Sequence, residues 1–185
     1  MGLHVCPWWA AWMLHGWPRR LLQDPLALLS PYARAGHLVL EPGAGSGFFT
    51  LPLARLVQPG GRVVAVDLQP HMLEILGRRA AEAGVAEVIE LRPCQENDLQ
   101  VADLAGQVDL ALALYMLHEV PDQAGFLGQV RGALKDDGRF LVVEPKGHVG
   151  QNEFLRSLAL ARLAGLETIA RPRIGLSHAA LMKAV

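Results

Sequence analysis

The segment from Leu38 to Gly47, which reads Leu-Val-Leu-Glu-Pro-Gly-Ala-Gly-Ser-Gly, constrains the fold of this chain most strongly. Its apolar start predicts a short buried strand, and its three alternate glycines predict a turn too tight for side chains. A helix over 48–57 follows, and we place its start near Thr50 because Pro52 conflicts with a start at Gly47. Free backbone N–H groups at such a turn can receive polar or anionic ligand groups. The segment therefore predicts a nucleotide-binding turn.

The spacing of the glycines distinguishes between classes of nucleotide-binding protein. The usual dinucleotide fingerprint is G-x-G-x-x-G, but position 48 is Phe48 and the pattern here is G-x-G-x-G. A second apolar run, 62–66, predicts a buried strand that ends in Asp67, about twenty residues after the last glycine. A strand-end carboxylate at that distance can accept hydrogen bonds from both hydroxyls of an adenosine ribose. The pattern therefore indicates an adenosyl ligand other than a dinucleotide.

Alternating apolar strands and helical patterns continue to the end of the sequence. Strands are expected from Leu38 and over 62–67, 85–91, 108–115, 139–144, 167–171 and 177–183. Helices are expected from 69–70 up to Gly84 and over 122–135 and 153–164, and Asn152 is expected to cap the last helix. The final two strands are too close in sequence for a parallel crossover, so they must be antiparallel neighbours. The prediction is an α/β fold, a doubly wound seven-stranded mostly parallel sheet with an antiparallel C-terminal strand.

Length and charge limit the remaining possibilities. The 185 residues predict a single domain, with a tryptophan-rich helical cap over 1–37 and a core over 38–185. The 17 basic and 18 acidic side chains form no basic block, which argues against a nucleic-acid partner. No apolar run reaches the ~18 residues of a membrane span. We expect a cytoplasmic protein, because Cys6 and Cys94 form no recognised disulfide pattern. We also expect it to be a monomer or a homodimer.

Three motifs in this order resemble those of class I S-adenosylmethionine (SAM) dependent methyltransferases. They are the glycine turn with its preceding acid (41–47), the ribose acid in 64–67, and the segment 109–122. Within the last, Leu-His-Glu-Val-Pro-Asp (117–122) is similar to the L-H-x-V-P-D segment of small-molecule methyltransferases, including the quinone-ring C-methyltransferases. The resemblance covers roughly residues 36–185. It implies SAM as cofactor and methyl transfer to a small-molecule acceptor.

The resemblance also implies roles for individual residues. The cofactor-binding set is Glu41, Gly43, Gly45, Gly47, Asp67, Leu68, Gln95 and Leu114, the catalytic candidates are His118 and Glu119, and the substrate candidates are Trp8, Trp9, Tyr115 and His148. Gln95 stands where many relatives have Asp, so Cys94 or Glu96 could serve instead. His118 is either a general base, as a histidine can be near neutral pH, or a residue that only fixes its loop.

Alternative readings remain at this point. A non-catalytic SAM-binding protein would use the same cofactor motifs, and a nicotinamide-dependent oxidoreductase would share the α/β fold. His4, Cys6 and Cys94 suggest a thiol or metal site, but their spacing matches no known ligand pattern, so we predict no metal.

Overall fold

A seven-stranded sheet forms the centre of the part of the chain that the computed structural model describes, residues 24–185. Its strand order is β3-β2-β1-β4-β5-β7-β6. The strands are β1 (Leu38–Pro42), β2 (Arg62–Asp67), β3 (Ile89–Pro93), β4 (Val108–Leu114), β5 (Leu134–Pro145), β6 (Leu166–Ala170) and β7 (Ser177–Ala184). Strands β1 to β5 pair in parallel, while β7 runs antiparallel to both β5 and β6. The predicted fold class is confirmed.

Helices cover both faces of this sheet. They are α1 (Pro25–Leu29), α2 (Thr50–Leu56), α3 (Pro70–Glu82), α4 (Gln123–Ala133) and α5 (Gln151–Leu163), with short 3₁₀ turns at Ala86–Val88, Ala102–Leu104 and Leu117–Glu119. Phe126 of α4 and Phe154 of α5 belong to the apolar cluster on one face, and Leu29 of α1 and Leu53 of α2 to the cluster on the other. Because both faces are covered, the central strands are almost entirely apolar. None of the helices in this region is long and apolar enough to cross a membrane.

Sequence patterns place most elements correctly, and α2 begins at Thr50 as expected. The prediction that strand β3 begins at Val85 is wrong, because it begins at Ile89. The Val85 N–H donates to the Ala80 carbonyl at 3.0 Å and closes the end of α3, with Gly84 at φ +68°. This Schellman-type ending uses Val85 for the helix and delays the strand.

Two other boundaries differ from the predictions. Helix α5 begins at Gln151 with Gly150 as its N-cap, so the prediction that Asn152 is the cap is wrong. Strand β5 begins at Leu134 rather than Arg139. Its register against β4 shifts after Leu134, so the residues between the predicted helix and the predicted strand form an irregularity within β5.

Candidate functional site

The glycine turn after β1 has the left-handed backbone that its sequence predicts. Gly43, Gly45 and Gly47 have φ values of +70°, +54° and +88°. A Cβ at Gly43 would lie 2.9 Å from Met116 Cγ, and one at Gly47 would overlap Leu76 Cδ1. A Cβ at Gly45 would meet no atom within 4 Å. Close packing therefore requires glycine at the first and third positions, while Gly45 borders open space where a ligand can approach its backbone.

Helix α3 holds this turn in place through Arg79. Its Nη1 donates hydrogen bonds to the Ser46 carbonyl at 2.6 Å and to Ser46 Oγ at 3.1 Å. A charged donor on two oxygens of one residue is among the stronger hydrogen-bond arrangements in proteins. The conformation of the turn is therefore set from outside the turn.

Asp67, at the end of β2, connects directly to the turn. Its Oδ2 accepts a hydrogen bond from the Gly45 N–H at 2.7 Å, and its Oδ1 accepts one from the Gln69 N–H at 2.8 Å. The residue is only 7% exposed, and burial raises the pKa of its carboxyl while the two backbone hydrogen bonds oppose the rise. A carboxylate has about four acceptor positions, so each oxygen can still accept a hydrogen bond from a ligand hydroxyl group.

The residues predicted to surround an adenine lie beside Asp67. Leu68 is 39% exposed, so its side chain is available to a flat ring and is not core. The Cys94 N–H donates to the Asp67 carbonyl at 3.1 Å, which brings the loop that carries Gln95 next to the ribose acid. Burial raises the pKa of the Cys94 thiol to about 11, and the charges of Asp67 and Asp98 add to the effect. The thiol is therefore neutral at physiological pH.

Glu41 lies at the end of β1 directly before the turn. It is 3% exposed, and burial raises the pKa of its carboxyl to about 8. Its Oε2 has no partner at hydrogen-bond geometry within residues 24–185, although the nearby Thr50 hydroxyl opposes the rise in this pKa. A buried acceptor without a partner costs free energy unless a ligand satisfies it. The glycine turn therefore adjoins a carboxyl group that can accept a hydrogen bond from a polar or cationic ligand group.

The last residue of β4 and the residue after it both pack with the apolar cluster that contains Leu29 and Leu53. Leu114 is buried in the same cluster as Phe48, so only its backbone is available to a ligand. Tyr115 has φ +62°, stacks on Phe49 at a centroid distance of 6.0 Å, and its hydroxyl is hydrogen-bonded to Ser177 Oγ at 3.1 Å. A left-handed backbone at a tyrosine is strained and is held by the surrounding structure.

His118 is held by Glu144, which lies at the end of β5. Nδ1 of His118 donates a short hydrogen bond to Glu144 Oε2, and Oε1 of the same carboxylate accepts from the Leu117 N–H at 2.9 Å. Glu144 is 2% exposed. Its hydrogen bond raises the pKa of His118, although burial of the ring opposes the rise. Because Nδ1 is held by the carboxylate, Nε2 is the ring nitrogen that can exchange a proton with a ligand.

Two other predicted residues lie around this histidine. Glu119 Oε1 is 4.0 Å from His118 Nε2, and the His148 ring is perpendicular to the His118 ring at 6.3 Å. The structure therefore brings together one catalytic pair and one substrate candidate of the predicted set. It places Tyr115 instead against Phe49 and Ser177.

The role of Glu144 in positioning His118 was not predicted from the sequence. The signal was present, since a carboxylate follows the buried run 140–143 and a fully buried acid requires a partner. Trp8 and Trp9 lie outside the described residues, as do His4 and Cys6. Within residues 24–185 no three His, Cys, Asp or Glu side chains cluster closely enough to hold a metal ion.

Comparisons with known proteins agree with this arrangement. Residues 34–169 match the family model described as a methyltransferase domain. A ubiquinone biosynthesis O-methyltransferase of Xanthomonas axonopodis pv. citri is 32% identical over 129 residues, 65% of this chain and 52% of that protein. A ubiquinone/menaquinone biosynthesis C-methyltransferase of Cellvibrio japonicus is 32% identical over 111 residues, 60% of this chain and 44% of that protein. This chain thus spans about half the length of these curated relatives.

A solved structure extends the comparison to the fold. The crystal structure of a SAM-dependent methyltransferase from Aquifex aeolicus superposes with a TM-score of 0.87 at 20% identity, covering 98% of this chain and 100% of that chain. At this level of identity the agreement concerns the fold.

Proposed function

Because this chain belongs to the methyltransferase-domain family, we propose that it is an enzyme that transfers a methyl group from SAM to a small-molecule acceptor. One observation carries the proposal. The Asp67 carboxylate accepts a hydrogen bond from the Gly45 N–H at 2.7 Å, beside backbone that borders open space. This geometry supports the proposal because the acid predicted to bind a ribose is joined to a turn that a ligand can approach closely.

The residues around the turn fit the cofactor chemically. Asp67 can accept hydrogen bonds from the ribose hydroxyls, the exposed Leu68 can cover an adenine face, and Glu41 can accept a hydrogen bond from an amino group. Gly45 gives the methionyl part access to the backbone. Gln95 remains a candidate for the adenine edge because its loop is hydrogen-bonded to the backbone of Asp67 through Cys94.

When bound, SAM supplies a methyl group already activated by a positively charged sulfur. The chain must then place an acceptor atom in line with that methyl group and exclude water. His118 can take a proton from the acceptor at Nε2, since Glu144 fixes the ring through Nδ1 and stabilises its charged form. Glu119 and His148 are placed to contact the acceptor or tune this histidine.

The curated relatives are named as methyltransferases of ubiquinone or menaquinone biosynthesis, so a flat acceptor is part of this proposal. Trp8 and Trp9 remain its predicted contacts. Family membership argues against the nicotinamide-dependent alternative, whereas a SAM-binding protein without turnover would share every cofactor contact. Location in the cytoplasm, consistent with the free thiol of Cys94, and a monomeric or homodimeric state are also proposals.

Calorimetric titration with SAM and with its demethylated product, S-adenosylhomocysteine, tests the cofactor site. We expect Asp67→Ala to weaken binding about 10- to 100-fold, because hydrogen bonds to a charged group are lost. Gly45→Ala should weaken it comparably by placing a methyl group in the open space. Gly106→Ala is the matched control, since Gly106 has φ +64° and also borders open space but lies outside the site.

The proposal fails if neither compound binds the unaltered chain. It also fails if Gly106→Ala weakens binding as much as Gly45→Ala, because the effect would then come from backbone strain alone. Transfer of a labelled methyl group to candidate acceptors separates the enzyme from a SAM-binding protein without turnover.

A further inference from the structure

A cavity of about 430 Å³ opens between the start of α5 and the loop that joins β6 to β7. Its volume lies within the range of sites for small organic ligands. Phe154 of α5 supplies part of its wall, and the ring of His178 stacks on Phe154 at a centroid distance of 5.2 Å and an angle of 18°. The cavity therefore has an apolar side suited to the body of a small molecule.

The charged residues that line the cavity all have the same sign. Lys146, Arg171 and Arg173 line it, while no Asp or Glu does so among the described residues. All three side chains are exposed, and none forms a salt bridge with a carboxylate of residues 24–185. Cations gathered around one concavity attract an anion, and arginine matches carboxylate and phosphate geometry well.

The cavity adjoins the histidine–carboxylate pair described above. In the β5–β7 register, Glu144 pairs with His178 and Pro145 pairs with Ser177. Ser177 is also the residue whose Oγ is hydrogen-bonded to the Tyr115 hydroxyl. The neighbouring Glu144 does not line the cavity, and its carboxylate is held by His118 and the Leu117 N–H. A molecule seated in the cavity would thus lie beside the predicted acceptor side of the site.

We propose that this cavity binds the carboxylate or phosphate group of the methyl acceptor, so that the acceptor is a small organic acid or organic phosphate. The inference rests on the proposed methyltransferase function. Lys146, Arg171 and Arg173 hold the anionic group, and Phe154 and His178 contact the apolar part next to it. The cationic residues thereby select the acceptor and orient its reactive end toward His118.

Titrations followed by backbone amide NMR test this assignment at constant ionic strength with saturating S-adenosylhomocysteine. Benzoate and phenyl phosphate are the two anionic probes, and benzyl alcohol is their neutral counterpart. We expect one or both anions to shift the amides of 146–155 and 171–179, and benzyl alcohol to bind about tenfold more weakly or worse. The anion that binds more tightly identifies the chemical group.

Paired variants separate the cavity from general surface charge. Arg171→Gln with Arg173→Gln should weaken anion binding about tenfold or more, because two charge-assisted contacts are lost. Arg156→Gln with Arg162→Gln removes the same charge from exposed positions of α5 outside the cavity and should leave affinity unchanged. Binding of S-adenosylhomocysteine is measured in the same samples.

Each outcome bears on the inference separately from the proposed function. If S-adenosylhomocysteine binds but neither anion does, the inference is wrong and the proposed function stands. Equal binding of benzyl alcohol, or equal weakening by the control pair, also overturns it. If anions bind but S-adenosylhomocysteine does not, the proposed function fails and with it the assignment of the cavity to an acceptor.

Discussion

At the scale of single residues, Glu41 couples the stability of the chain to pH. Burial raises the pKa of its carboxyl from 4.5 to about 8, so the folded state retains a proton that the unfolded state releases. The stability from this proton is fully present below pH 4.5 and is lost as pH rises through about 8. Glu41→Gln cannot ionise. We therefore expect its free energy of unfolding, relative to the unaltered chain, to increase from pH 5 to pH 8, by up to about 4 kcal/mol.

Urea denaturation at several pH values measures this difference. Glu82→Gln, which replaces an exposed carboxylate on α3, is the matched control, and its stability difference should stay constant over the same range. A constant difference for Glu41→Gln would show that the carboxyl is not buried in the neutral form.

His118 offers a second test at this scale. Its hydrogen bond to Glu144 raises the pKa of the ring above 6.5, so the pair stabilises the fold below about pH 6.5 and loses that contribution as pH rises through the raised pKa. In Glu144→Gln the negative charge is lost and the midpoint should fall. Glu119→Gln should lower it much less, because Glu119 is more exposed and 4.0 Å from Nε2.

NMR titration of the imidazole signals measures these midpoints directly. A midpoint below 6.5 in the unaltered chain, or a larger fall in Glu119→Gln than in Glu144→Gln, contradicts the arrangement. A pH-dependent rate with the same midpoint would connect the pair to turnover.

The sequence reveals residues such as Gly45 and Asp67 because their roles follow from local pattern and spacing. The pairing of His118 with Glu144 joins residues 26 positions apart on neighbouring strand ends, which no local pattern contains. The same limit applies to Arg79, which holds Ser46 from 33 positions away. Contacts of this kind require the strand order and register to be known.

At the scale of elements, the glycine turn and helix α3 are fitted to each other through Gly47 and Leu76. Leu76 is fully buried, and a Cβ at Gly47 would overlap its Cδ1. The backbone at Gly47, with φ +88°, also disfavours any side chain. We expect Gly47→Ala to destabilise the chain by about 2 to 4 kcal/mol in chemical denaturation, from overpacking and backbone strain together.

A double-mutant cycle separates these two causes. Leu76→Ala alone should cost about 2 to 5 kcal/mol, but in the Gly47→Ala background it should cost less by about 1 kcal/mol or more, because the overlap is relieved. Strictly additive effects would mean that the two side chains do not meet. Gly106→Ala reports the backbone strain alone, since its Cβ would meet no atom within 4 Å.

Element boundaries were less predictable than element types. The apolar pattern of 85–91 fits a strand, but Val85 closes α3 and the strand starts four residues later. Asn152 is a good cap by residue type, but the helix begins after Gly150. Hydrophobic pattern identifies which segments are buried, whereas the hydrogen bonds of a turn decide where one element ends and the next begins.

At the scale of the whole molecule, the candidate site exists because the carboxyl ends of β1, β2, β4 and β5 meet along one edge of the sheet. Glu41 and Asp67 come from two of these ends, and Glu144 comes from a third. Alternating strands and helices predict the mostly parallel sheet and its antiparallel C-terminal strand, but the position of β7 between β5 and β6 follows from the strand pairing. That position brings Ser177 and His178 beside Glu144 and forms the basic cavity.

Ligand-dependent thermal unfolding tests the prediction that residues 1–185 form a single domain. A compound that binds only the folded chain stabilises it by about 2.7 kcal/mol at a hundredfold excess over its dissociation constant. For a domain of this size we expect S-adenosylhomocysteine to raise the melting temperature of one calorimetric transition by about 5 to 10 °C. Asp67→Ala should lose most of this shift at the same ligand concentration, whereas Gly106→Ala should keep it from a lower starting temperature. Two transitions, of which the ligand moves only one, would instead mean that the tryptophan-rich segment predicted as a cap unfolds apart from the core and that the cofactor stabilises the core alone.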